Sequence, residues 1–155
     1  MIKSSDTTEG SDDAFDLSRF INAQENIYGT VLAELRSGRK RSHWMWYIFP
    51  QIDGLGQSAV SKRYAITSLE EARQYLKHPV LGARLLECAD IVLVIEGRSV
   101  SEIFGYPDDM KLKSSMTLFS SVPEADPVFV DVLENYFHGS LDFRTIRQLE
   151  LLSEQ

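Results

Sequence analysis

The sequence predicts a mainly α protein: a single compact multi-helix domain with a long, ordered, aromatic-rich loop. Three observations carry this prediction. Apolar residues recur at spacings of three and four along most of the chain. Ser-x-x-Glu capping signals and helix-opening prolines punctuate those runs. Nothing near the β-branched stretches resembles a pairing hairpin. At 155 residues, with 43% apolar and 25% charged residues, the chain is long enough for one hydrophobic core and too short for two comfortable ones.

Residues 1–13 read as a flexible acidic tail and 14–155 as the helical domain. Phe15, Leu17, Phe20, Ile21, Ile27, Tyr28, Val31, Leu32 and Leu35 keep helical spacing and predict a helix over 15–37, stopped by Gly38. From Arg39 to Gly56 the period is lost among Pro50, Asp53-Gly54 and Gly56, which predicts an ordered, mostly irregular connection with its aromatics pinned into the core. A short helix over Ser58–Tyr64 follows. Ser68 then caps a helix through Leu76, with Glu71 at the reciprocal capping-box position. His78-Pro79 interrupts, and Leu81, Leu85, Leu86, Ala89, Val92 and Leu93 form the buried face of the next helix, whose IVLVI end reads as helix rather than strand. Ser99 with Glu102 caps a short helix ending near Gly105, and Asp108 or Asp109 caps one carrying Lys111 to Phe119. Pro127 opens a helix through Tyr136, and Arg144 to Leu152 closes the chain as another.

Composition excludes several classes of function. The longest apolar runs, such as Ile91 to Ile95, fall far short of a membrane span, and the N-terminus lacks the apolar core of a signal peptide, so a cytoplasmic protein without membrane contact is expected. A net charge of −7 argues against general nucleic-acid binding. More than half of that excess lies in residues 1–16, leaving Arg36, Arg39, Lys40 and Arg41 as the local basic cluster. The single cysteine, Cys88, reads as a small buried packing residue. Three histidines without paired spacing predict no metal site, and no cofactor is expected, because P-loop, dinucleotide-fold, hydrolase-elbow and CxxC signatures are all absent.

Three stretches combine charge, hydrogen-bonding groups and aromatic surface. In GRKRSHWMWYIFPQ, residues 38–51, three consecutive cations abut both tryptophans. Arg39, Lys40 and Arg41 would neutralise phosphate while Trp44 or Trp46 stacks on a planar ring, with His43 and Gln51 in the same candidate binding segment. Equally, the block is a core segment with solvated cations. The second stretch, Glu96-Gly97-Arg98, offers a carboxylate for acid/base work and Arg98 as a candidate binding residue, or an ordinary surface pair. In the third, Asp109 is a further candidate acid and Lys111, Ser114 and Ser115 candidate binding residues at the start of a helix. Acids there are also explained by the helix dipole alone, whereas the hydroxyls would need partners or a ligand.

The ordered set FINAQ, GRKRSHWMWYIFPQ, KRYAI, HPVLGARLLEC and EGRSVSEIFGYPDDMKLKSSMTLF resembles an uncharacterised bacterial family, a domain of unknown function often labelled calpastatin, over residues 15 to about 150. That label does not suit these residues, because calpastatin is a disordered repeat protein and this chain has a core pattern. More distantly the chain resembles the NADAR (YbiA-like) superfamily, through Phe20 to Gln24, Gly38 to Arg41 with Trp44, His78-Pro79 with Leu81 and Leu85, and Glu96 with Phe104-Gly105. The resemblance implies an all-α fold and N-glycosidase or ADP-ribosyl hydrolase-like activity on a small nucleotide-type ligand. Arg39 and Arg41 would then hold phosphate and Glu96 or Asp109 serve as acid/base. The Glu-His pair of that superfamily is Ser18-Arg19 here, so Asp16, Glu25 or Glu96 would have to replace its carboxylate. The alternatives are a non-catalytic ADP-ribose or nucleotide sensor, and a protein-interaction domain that uses the aromatic block as a contact surface. Oligomeric state is not legible.

Overall fold

The described residues, 13–154 of a computed structural model, form ten helices and no strand: α1 (Ser18–Gln24), α2 (Tyr28–Arg36), α3 (Met45–Ile48), α4 (Ala59–Arg63), α5 (Leu69–Lys77), α6 (Leu81–Val94), α7 (Val100–Phe104), α8 (Asp108–Ser120), α9 (Val128–Phe137) and α10 (Phe143–Ser153). The predicted acidic tail lies outside the described residues except for Asp13, whose carboxylate accepts the backbone N–H groups of Leu17 and Ser18 ahead of α1.

Two helices carry the core. α6 packs against α2, α3, α5 and α9, and α8 packs against α5, α7, α9 and α10. α6 buries Leu81, Leu85, Cys88, Ala89 and Val92 at helical spacing, and Cys88 is a packing residue whose burial pushes its thiol up to about 12. α8 is buried nearly all round from Ser114 to Phe119, so its hydroxyls cannot turn to water. Gly82 lets α6 start tight against α5, because a Cβ there would meet the Leu76 carbonyl oxygen at 2.1 Å.

The helix predicted over 15–37 is two helices. The chain turns at Glu25–Ile27, so that α1 packs on α3 while α2 packs on α6. Periodicity runs through the break because each half keeps its own buried face. α2 ends as predicted. Gly38 sits at φ 79°, its N–H bonds the Leu35 carbonyl and the Arg39 N–H bonds the Glu34 carbonyl, which is a Schellman stop.

The Arg39–Gly56 connection is ordered, but it contains the helical turn α3, and an isolated parallel bridge pairs Ile52 with Ile66. Of the two capping boxes, Ser99 with Glu102 is complete. Ser68 caps α5 through the Glu71 N–H, yet the Glu71 carboxylate turns instead to Thr67 and Arg19. Asp108 and Asp109 lie inside the first turn of α8, preceded by Pro107, and do not cap it.

Candidate functional site

The basic-aromatic loop is shaped from beneath by one carboxylate. Glu34, on the last turn of α2 and almost fully buried, accepts the N–H groups of Arg41 (2.8 Å) and Ser42 (3.0 Å), the Ser42 hydroxyl, and the Trp44 indole N–H (2.9 Å). Burial alone would push this carboxyl up, but hydrogen bonds from Ser42, Arg41 and Trp44 outweigh it and hold the group down at about 2. The consequence is a rigid loop whose side chains divide by direction. Trp44 goes to the core, the Lys40 side chain is buried, Trp46 is half-buried, and Arg39, Arg41 and His43 stay exposed.

The three stretches converge around this loop. Arg98 lies over Gly38, where a Cβ would come within 3.2 Å of its Nε. The Lys40 N–H bonds the Ile103 carbonyl at 2.7 Å, which ties the loop to the end of α7. Lys40 Nζ reaches Asp108 Oδ2 at 2.7 Å, Lys111 Nζ sits 3.5 Å from Asp108 Oδ1, and the same Lys111 ammonium lies 4.8 Å from the centre of the Trp46 ring. Asp108, absent from the sequence-derived set, is therefore the bridging carboxylate. Its signal was the i,i+3 spacing to Lys111. Glu34 left no comparable signal, because its partners, two backbone N–H groups and the side chains of Ser42 and Trp44, lie seven to ten residues away.

Other candidates are placed elsewhere or engaged. Trp44 is 1% exposed, so stacking on a ligand falls to Trp46. With Met45, Ile48 and Phe49 buried as well, the block is not an exposed contact surface. Ser114 shares a 3.0 Å hydrogen bond with Thr145 of α10, in a seam where Thr117 accepts the Asp142 N–H. Ser115 is fully buried, and its Oγ has no hydrogen-bond partner among the described residues. Both serines therefore belong to the packed interior and not to an open binding face. Gln51 is half-buried and its carbonyl accepts the Ile66 N–H. Asp109 is half-buried, with Oδ1 accepting the Met110 N–H at 2.8 Å.

Glu96 and Arg98 are exposed and line a cleft of about 650 Å³ between Leu93–Val100 and the Asn135–Tyr136 end of α9. The described ion pairs include none between them. At the Ser18-Arg19 position, Arg19 is a scaffold residue, donating to the carbonyls of Arg63, Phe15, Asp16 and Ala65 and to Glu71. Ser18 donates to Asp16. Among the described residues, no group of three or more His, Cys, Asp or Glu side chains is arranged to hold a metal ion, and no helix is long and apolar enough to cross a membrane.

The fold and this site define a helical domain with a clamped basic-aromatic loop. Residues 14–149 match the model of a protein family of unknown function, DUF1810, and the chain belongs to that family. It is similar to the crystal structure of the conserved hypothetical protein Rv1873 from Mycobacterium tuberculosis, with 54% identity, a TM-score of 0.88, and coverage of 89% of this chain and 99% of that one. No functionally curated protein matches significantly. Neither the calpastatin label nor the NADAR likeness has a counterpart in these matches.

Proposed function

We propose that the face formed by Arg39, Arg41, Trp46 and Lys111 binds a small anionic, nucleotide-type ligand such as ADP-ribose, and that the domain acts as a sensor rather than a catalyst. The observation that carries this reading is the pair of exposed guanidiniums, Arg39 and Arg41. Neither takes part in a described ion pair, both stand on a backbone pinned by Glu34, and the half-buried Trp46 follows on the same loop. In a chain of net charge −7, cations left without carboxylates are suited to phosphate, which guanidinium groups grip with paired hydrogen bonds. Trp46 supplies a ring face for a base.

Binding is favoured over N-glycosidic cleavage by the state of the nearby carboxylates. Asp108 is held by two ammonium groups, and Asp109 already accepts the Met110 N–H. Glu96 stands exposed in the cleft beside Tyr136. A general acid must reach the atom it protonates, and none of the three is aimed at a space between Trp46 and the guanidiniums by any described contact.

Thermal unfolding with ADP-ribose, NAD and riboflavin-pathway nucleotides tests this. A ligand at 100 times its dissociation constant should stabilise the chain by about 2.7 kcal/mol, and the Arg39→Glu, Arg41→Glu double variant should abolish that gain. Unchanged melting with all of them at millimolar concentration contradicts the proposal. Release of the free base during incubation would replace the sensor reading with the catalytic one.

A further inference from the structure

Two ammonium groups on this face occupy the same kind of compartment. Lys40 Nζ lies 5.1 Å from the centre of the Trp44 ring and 2.7 Å from Asp108 Oδ2. Lys111 Nζ lies 4.8 Å from the centre of the Trp46 ring and 3.5 Å from Asp108 Oδ1. One carboxylate and two indoles thus make two compartments, each with an aromatic face and a carboxylate oxygen within reach of a single cation. That combination recognises organic ammonium groups.

The compartments differ in access. The Lys40 side chain is 6% exposed and also donates to the Ser42 carbonyl, so it is a fixture of the loop. The Lys111 side chain is 25% exposed, and its only described ion pair is the longer i,i+3 contact to Asp108, at 3.5 Å against 2.7 Å for Lys40. Its ammonium is therefore the more readily displaced of the two. Asp108 and Asp109 in the first turn of α8 supply negative charge that offsets the positive helix end, which would otherwise repel a cation.

We propose that the outer compartment, Trp46 with Asp108, is a binding site for a small organic ammonium, best a methylated quaternary one, and that the Lys111 side chain occupies it in the ligand's absence. A quaternary ammonium is more weakly hydrated than a lysine ammonium, so it loses less water on reaching the indole and competes well for that face. This deepens the nucleotide-type reading and rests on it for the anion site. The ring face that Trp46 offers to a base in the nucleotide-type reading would here take a positively charged group of the ligand in the base's place, while Arg39 and Arg41 take the phosphate, which makes the ligand dipolar.

The probe is tetramethylammonium chloride, titrated into the full chain against sodium chloride of equal ionic strength, with the two indole N–H resonances as readout. The Trp46 resonance should shift saturably while the Trp44 resonance, tied to Glu34, stays in place. Lys111→Gln should tighten binding about fivefold by removing the internal competitor, and Trp46→Leu should abolish it. An unmoved Trp44 resonance in Lys111→Gln certifies its fold. Shifts no larger than those from sodium chloride, or a Lys111→Gln variant that binds no more tightly, overturn the proposal. If ADP-ribose still binds through Arg39 and Arg41 in that case, only the ammonium site falls; if ADP-ribose also fails to bind, both readings fall.

Discussion

At the scale of single residues, the chain relies on buried carboxylates to hold loops in place. Glu34 gathers Arg41, Ser42 and Trp44 of the irregular loop, and Glu71 ties the irregular residue Thr67 to Arg19 of α1. Glu34→Ala leaves the Trp44 indole N–H and two backbone N–H groups without partners, and should cost about 2–4 kcal/mol in urea unfolding. The same group sets a pH dependence. Its folded pKa of about 2 lies below the ordinary 4.5, so its contribution is fully present above pH 4.5 and fades as pH falls from there towards 2. Acid unfolding of wild type and Glu34→Gln should therefore differ most above pH 4.5 and converge below it. A gap that stays constant with pH would rule out Glu34 as the source.

At the scale of elements, close approach decides a sign that propensity would get wrong. Alanine is the better helix former by about 1 kcal/mol, yet a Cβ at Gly82 would lie 2.1 Å from a backbone oxygen that cannot swing away. Gly82→Ala should therefore destabilise the chain by roughly 1–3 kcal/mol in thermal melts, through strain where α5 meets α6. An unchanged or higher melting temperature would show that the contact relaxes. Most element boundaries were legible because Ser58, Ser68, Ser99 and Gly38 act locally, through hydrogen bonds within a turn. The break between α1 and α2 was not, since no proline or glycine marks Glu25–Ile27. The hydroxyls of α8 were legible as needing partners, but Ser114 finds its own in Thr145, thirty-one residues away, a pairing that local spacing cannot reveal.

At the scale of the whole molecule, a chain of net charge −7 gathers Arg39, Lys40, Arg41 and Lys111 on one loop and the first turn of one helix, beside two tryptophans. The convergence of three separately legible stretches on that place is a tertiary fact, set by the Lys40 contacts to Ile103 and Asp108. The sequence could name the cations and rings, but which tryptophan faces outward depended on Glu34 claiming the indole of Trp44. Calorimetric titration of ADP-ribose into the full chain and into Trp46→Leu tests the central claim most directly. One-to-one binding that weakens about tenfold or more without the Trp46 ring, and further with added salt, is the predicted result. Equal affinity in both chains, or no binding heat in either, would contradict it.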